Sequence, residues 1–600
     1  MDVMQTEGGA ETRTAAVPRP GRGVLAGALV LLLVQAVLKA VIVAQAYFKE
    51  DDFAYAARAM EAEPDPAWLT TTYLGQFMPG GFALDWVIVR LAPYDWTLVA
   101  ALVVTAHTLA GLAVHRMLTT LFGKRLLVLV PLTLFVLAPA SVPVLTWWAA
   151  ALNTVPLQIA LPMAVTAHVR FLRTGRNRYA AAAIGWILLG MLFFVKAAVI
   201  PVLLAALTWA YFGGLRGRIR LWLAYGGMLA AFVGLYLVRS LNAGPGMGGL
   251  PSLEDGLGFV GNLLGRTFLT TALGGPWGWF AGPDRAVAAP PWPLVGVCAL
   301  VVAALFLATL RYRRRALAAW SILLGWVLLA DVPPPLYGRV YLAGSFLGMD
   351  TRYVADALPV LALTAGLLVM PLLGEDRPWL RPLPRAEAVY AAGGLLVGGF
   401  TVASLVSING FAAHLGARDK VDYLTAAREA LAGVKRGQVV FDSPVPDFML
   451  SQGYGKYGLT SRLLSPLADG DLRERMRTPT AATGGLVFGP DGRLRPVDVN
   501  GVKQDPPGGC WPRRQGRVTV PIPGGGDTAS LVRLGTWTEE RTEVSVLAGD
   551  AKYTVTLSEG LGQLYVPLPA PVRQIEVIGV PSGNTVCLGD VKAGTAVPAP

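Results

Sequence analysis

Residues 24–56 read VLAGALVLLLVQAVLKAVIVAQAYFKEDDFAYA. The run 24–46 is apolar and long enough to cross a bilayer as a helix, which takes roughly 20 residues. It ends on Lys49-Glu50-Asp51-Asp52 and not on the small residues of a cleavage site, so it is expected to remain as a first spanning helix rather than leave as a signal peptide. The chain therefore emerges from lipid straight into a row of carboxylates. The residues before it, 1–23, are expected to form a disordered cytoplasmic arm carrying Arg13, Arg19 and Arg22.

Outward from this stretch the pattern repeats. The chain is 54% apolar and only 15% charged, with mean hydropathy +0.51, whereas soluble domains run at about 25% charged. Eleven apolar crossings are expected: 24–46, 95–115, 126–146, 148–169, 179–195, 197–213, 220–241, 292–310, 316–331, 353–373 and 386–408. With the N-terminus inside, each cytoplasmic connection is basic: Arg116, Lys124 and Arg125; Arg170 to Arg178; Arg216 to Arg220; Arg311 to Arg315; Arg377, Arg381 and Arg385. That is the positive-inside distribution of a multi-pass protein of the cytoplasmic membrane. The net charge of +12 is accounted for by these short clusters, and no nucleic-acid partner is expected. Residues 179–213 are barely long enough for two crossings, and basic flanks on both sides call for a tight outer hairpin near Lys196 and Pro201.

Three outer segments, 47–94, 242–291 and 332–352, are too long for simple turns and suggest a site on that face. The expected domains are the arm, a transmembrane domain over 24–408, an extracytoplasmic α/β segment over 409–515 and a β-sandwich over 516–600. The α/β segment reads as a helix, a strand at 438–441 and a loop. In the sandwich, alternating segments recur at 518–522, 530–534, 543–547, 552–557, 564–568, 574–580 and 585–588, separated by Gly and Pro turns. Cys510 and Cys587 are the two cysteines of this exported part; they are expected to pair, the alternative being two free thiols.

The carboxylates after the first crossing have several readings. Asp51 and Asp52 precede a helical stretch, so they suit N-capping and dipole compensation. The same two groups suit a general base or a divalent cation such as Mg²⁺ or Mn²⁺. Lys196, between two apolar runs, either snorkels to headgroups or meets an anion, and Arg352 has the same two readings. Trp147 and Trp148 stand at an outer boundary, where an aromatic belt and a sugar-stacking platform are both open. His107 and His168 are too isolated for a metal site. The Gly-rich 244–249 lacks the strand–turn–helix context of a nucleotide loop.

Asp51-Asp52-Phe53-Ala54-Tyr55-Ala56 resembles the Asp-Glu-x-x-Tyr-Ala signature that follows the first helix of GT-C glycosyltransferases, such as protein O-mannosyltransferases and lipid A aminoarabinose transferases. Two further stretches resemble the family: 189–196, ending in Val195-Lys196 with Pro201 beyond it, and Thr351-Arg352-Tyr353 followed by Leu358-Pro359. The resemblance covers roughly residues 24–373. Actinobacterial members add an outer carbohydrate-binding-like module, which the C-terminal sandwich resembles. The resemblance implies sugar transfer from a polyprenyl-phosphate donor to a glycan, lipid or protein acceptor at the outer membrane face, by an inverting displacement. It casts Asp51 as the base and Asp52 as an acceptor-orienting or cation-holding group. Lys196, Arg352 and Arg339 would contact the donor phosphate; Glu50, Tyr55, Tyr337, Tyr341, Trp147 and Trp148 would contact substrate. Two rivals belong to other classes, a transporter or flippase of a lipid-linked glycan and a non-catalytic glycan-binding protein.

Overall fold

The computed structural model describes residues 22–73, 75–241, 248–281, 286–382, 386–525, 529–581 and 585–600; most of the N-terminal arm, with Arg13 and Arg19, lies outside them, as do Arg385 and residues 244–247. Every expected crossing is a helix. Eight are single helices long and apolar enough to span: Arg22–Val43, Trp96–Phe122, Trp148–Thr174, Ile219–Leu241, Trp292–Tyr312, Ala316–Gly338, Thr351–Val369 and Ala391–Ala412. A ninth is a bent pair, Leu126–Val136 with Pro139–Leu145, angled by 43°. Proline cannot donate into the preceding turn, and Pro139 restarts the chain after the break.

The remaining two are the shorter apolar helices Asn177–Phe193 and Val195–Tyr211. The break between them falls at Phe194, whose backbone is extended, slightly before the expected turn at Lys196. A 3-10 turn, Val195–Val199, then carries Lys196 into the helix that starts with Pro201 in its first turn.

Helix Trp148–Thr174 runs through the middle of the bundle, whereas Ile219–Leu241 and Trp292–Tyr312 are mostly bare. Leu223, Val238, Val297, Leu300 and Leu307 are exposed apolar side chains on them, a surface that lipid would cover. The isolated histidines hydrogen-bond inside the bundle: His107 meets Gln35 through Nδ1, and His168 sits between Tyr225 and Thr208.

After the first crossing the chain forms the helices Asp51–Glu61 and Pro79–Leu91. Phe53, Tyr94, Trp96 and Trp148 share one apolar core with Tyr423, Leu424, Leu431, Leu463, Leu472 and Met476 of the C-terminal part. Residues 420–476 therefore lie on the same face as residue 51. That contact requires an even number of crossings between them, as the expected ten supply.

The C-terminal part begins with helix Arg418–Ala432. The strand expected at 438–441 is reduced to an isolated bridge from Val440 to Leu486. Two five-stranded sheets follow. One runs in the order Gly560–Pro567, Leu531–Thr538, Val586–Pro598, Leu494–Gln504, Leu486–Phe488; the other runs Arg513–Arg514, Arg517–Pro521, Gln574–Ile578, Thr542–Ala548, Ala551–Leu557. All seven expected segments are strands. The sandwich starts earlier than residue 516, because Leu494–Gln504 pairs in register along Val586–Pro598. Alternate residues such as Val518, Val520, Val544, Val546, Ile575 and Val577 fill its core. Cys510 and Cys587 form a disulfide, a closure that contributes about 2–4 kcal/mol.

Candidate functional site

A cavity lies where the membrane helices meet the outer segments, and residues far apart in the chain wall it. Asp51 and Tyr55 come from helix Asp51–Glu61, and Trp147 and Asn153 from the start of helix Trp148–Thr174 and the residue before it. Lys196 comes from the Val195–Val199 turn, and Arg339, Arg352 and Tyr353 from the last outer segment. Six of the residues singled out in the sequence thus converge: Asp51, Tyr55, Trp147, Lys196, Arg339 and Arg352. The cavity between them is small, about 60 Å³.

Glu50 turns the chain into the helix with φ 44° and ψ −118°, a left-handed conformation that costs of order 1–3 kcal/mol in a residue other than glycine. Both aspartates follow it in the first turn of the helix, where successive residues point in different directions. Asp51 faces the cavity, and Tyr454 donates a hydrogen bond to its Oδ1 at 2.8 Å. Asp52 is buried on the other side, where its Oδ1 accepts from the Ala149 N–H at 2.7 Å and its Oδ2 from the Lys49 N–H at 3.0 Å. Burial pushes the Asp52 carboxyl up to about 8, against the pull of those two bonds. Asp52 thus ties the loop to helix Trp148–Thr174.

The expected cation site does not fit this arrangement. Asp52 spends both oxygens on backbone N–H groups, and no three His, Cys, Asp or Glu residues cluster to hold a metal among the described residues.

The cations are already partnered to different degrees. Lys196 Nζ reaches Asp331 Oδ1 at 2.8 Å, Asp356 Oδ1 at 2.7 Å and the Tyr353 carbonyl at 3.1 Å. Those are three acceptors for three N–H groups, so in this structure Lys196 stands as counter-ion to two buried carboxylates. Arg352 grips Asp350 through Nε and Nη2 at 2.6–3.0 Å and lies 3.7 Å above the Trp147 ring. Arg339 donates from Nη1 to the Tyr353 hydroxyl at 3.4 Å. A guanidinium has five N–H donors, so both arginines can still meet an anion.

Trp147 is a platform for cations: Lys49 lies 4.9 Å from its ring in addition to Arg352. Burial, and next the charge of Arg352, lowers the Lys49 ammonium to about 8. Trp148 is buried and donates to Asp85 Oδ1 at 2.8 Å, which leaves it no face for a sugar; burial raises the Asp85 carboxyl to about 6. Tyr337 and Tyr341 stand outside the cavity. Both are exposed, and the Tyr337 carbonyl accepts from the Gly249 N–H in the neighbouring outer loop. Tyr353 takes the aromatic place expected of them. Glu50 shapes the turn and is not part of the cavity wall.

The chain is similar in structure to ArnT from Cupriavidus metallidurans bound to undecaprenyl phosphate, with TM-score 0.40 and 15% identity over 72% of this chain and 84% of that one. It is also similar to arabinofuranosyltransferase AftD from Mycobacteria, with TM-score 0.39 and 11% identity over 95% of this chain and 59% of that one. For arabinosyltransferase EmbB from Mycobacterium smegmatis the values are TM-score 0.31 and 12% identity, over 100% and 66%. At such scores the backbones overlap loosely, and the cavity itself carries the functional reading. No protein-family model matches the chain, and neither does any curated protein.

Proposed function

We propose that the protein is an integral membrane glycosyltransferase that moves a sugar from a polyprenyl-phosphate donor to an envelope glycan, lipid or protein acceptor. The observation that supports this most is the meeting of one carboxylate, Asp51, with two guanidinium groups, Arg339 and Arg352, in a cavity at the membrane boundary. The chemistry is a single inverting displacement. Asp51 takes the proton of the acceptor hydroxyl as that oxygen bonds to the anomeric carbon. The bond from that carbon to the phosphate oxygen breaks, and its electrons go to the phosphate, where Arg339 and Arg352 offset the growing charge. Preorganised donors in a site shielded from water are well suited to this.

Membranes containing the protein would be given undecaprenyl phosphate carrying radiolabelled arabinose, mannose or glucose, each in turn, and the matching nucleotide sugars in parallel. Label should leave at least one lipid donor only where the protein is present. Release from the nucleotide sugars alone, or from none, would sink the proposal. Passage of an intact lipid-linked sugar across sealed vesicles without cleavage would mark a transporter.

The proposed orientation places the N-terminus inside and residues 409–600 outside, on the strength of the basic inner connections. In a variant lacking Cys298, single cysteines at Ser530 and at Arg176, both exposed, report on it. An impermeant thiol reagent should reach Ser530→Cys in intact cells and Arg176→Cys only after permeabilisation. The reverse order would invert the topology.

A further inference from the structure

The C-terminal part does more than cover the outer loops, because it reaches the proposed base. Tyr454 Oη is 2.8 Å from Asp51 Oδ1, and no other side chain hydrogen-bonds that carboxylate among the described residues. The contact joins positions 403 residues apart. Tyr454 belongs to the Gln452–Gly458 turn, a strap along helix Asp51–Glu61. Two residues beyond it, Lys456 Nζ pairs with Glu61 at 2.9 Å, and Arg462 pairs with the same carboxylate at 2.8 Å. Tyr457 packs edge-on against Tyr73, with ring centroids 5.9 Å apart. Asp51 and Glu61 mark the two ends of that helix, about 15 Å apart at 1.5 Å per residue, so one strap clamps both ends.

The geometry points to Tyr454 as the positioning residue of the catalytic carboxylate, supplied by the C-terminal part, and this rests on the reading of Asp51 as the base. Tyr454 is not a wall of the cavity; it approaches Asp51 from the strap side and so leaves the cavity side of the carboxylate for an acceptor. Burial, and next the Asp51 charge, raises the Tyr454 phenol well above its ordinary value, so it remains a hydrogen-bond donor. A half-buried carboxylate at the first position of a helix would otherwise sample several rotamers. A base acts efficiently only when it is held within hydrogen-bond reach of the proton it removes.

The full-length protein in membranes would be compared as wild type, Tyr454→Phe, Asp51→Asn and the double variant, following release of label from the lipid donor that wild type uses. Phenylalanine keeps the ring and removes only the hydroxyl, and thermal unfolding of each purified variant checks that it is folded. Loss of a hydrogen bond to a charged group predicts a kcat for Tyr454→Phe lower by about 10- to 100-fold, with donor KM unchanged. Because the two residues act as one unit, the double variant should be no slower than Asp51→Asn alone. A Tyr454→Phe enzyme at the wild-type kcat beside an inactive Asp51→Asn would overturn the inference and leave the base reading standing. Losses that multiply in the double variant, or a Tyr454→Phe enzyme faster than wild type, would overturn it too. An active Asp51→Asn would remove the base reading itself, and the positioning role with it.

Discussion

Asp51→Asn should lower sugar transfer by about 10²- to 10⁴-fold, the usual cost of losing a general base, while leaving the fold intact. The substitution keeps the size of the side chain, and the amide oxygen still accepts the Tyr454 hydrogen bond. Capping does not complicate the result. The N-cap position of helix Asp51–Glu61 is Glu50, and no side chain there bonds a helix N–H. Asp52→Asn should behave in the opposite way. Its carboxyl group accepts two N–H bonds, one on each oxygen, and an amide offers a single accepting oxygen. One N–H is left facing an NH₂ group, at a cost of about 1–3 kcal/mol of stability, without a direct effect on proton transfer. Transfer rates and thermal unfolding of the two purified variants separate the roles. An Asp51→Asn protein within about twofold of wild type, far short of a general-base loss, would remove Asp51 from the chemistry.

The crossings were legible because each is a long apolar run bounded by arginines or by acids, proline and tryptophan, and neither signal depends on distant contacts. The sandwich strands were legible from period-two alternation, as at Val518 and Val520 or Val544 and Val546. The boundary was missed because Leu494–Gln504 is mostly exposed and its alternation is confined to Val497 and Val499; it is a strand because Val586–Pro598 lies beside it. Asp51, Lys196 and Arg352 could be found by motif, but their partners could not. Tyr454 sits in a polar turn, and only the docking of the C-terminal part gives it a role. Asp331 and Asp356 did leave a signal, an acid inside or at the end of an otherwise apolar span, which demands a buried partner. Pairing those acids with the lysine of the hairpin would have shown that Lys196 is a counter-ion. Tyr337 and Tyr341 were chosen for proximity to Arg339 in the chain, and the short helices around them turn both outward.

Lys196→Met should destabilise the protein by about 3–5 kcal/mol, the cost of stripping a buried ion cluster of one sign of charge. Lys196, Asp331 and Asp356 are all nearly inaccessible. Asp331 Oδ2 and Asp356 Oδ2 also have no hydrogen-bond partner among the described residues. Without the ammonium, two buried carboxylates would face one another unpaired, so the loss falls on folding before it falls on chemistry. The triple variant Lys196→Met, Asp331→Asn, Asp356→Asn buries no charge, and it should recover most of the lost stability, as replacement of whole buried ion clusters often does. If Lys196 serves only as counter-ion, the triple variant also regains donor use, whereas Arg352→Ala does not, because that guanidinium still has donors to offer a phosphate. Thermal unfolding of the detergent-solubilised variants and their KM for the lipid donor decide the matter. A triple variant as stable as wild type but with donor KM still raised tenfold or more, a difference of about 1.4 kcal/mol, would return Lys196 to the phosphate site.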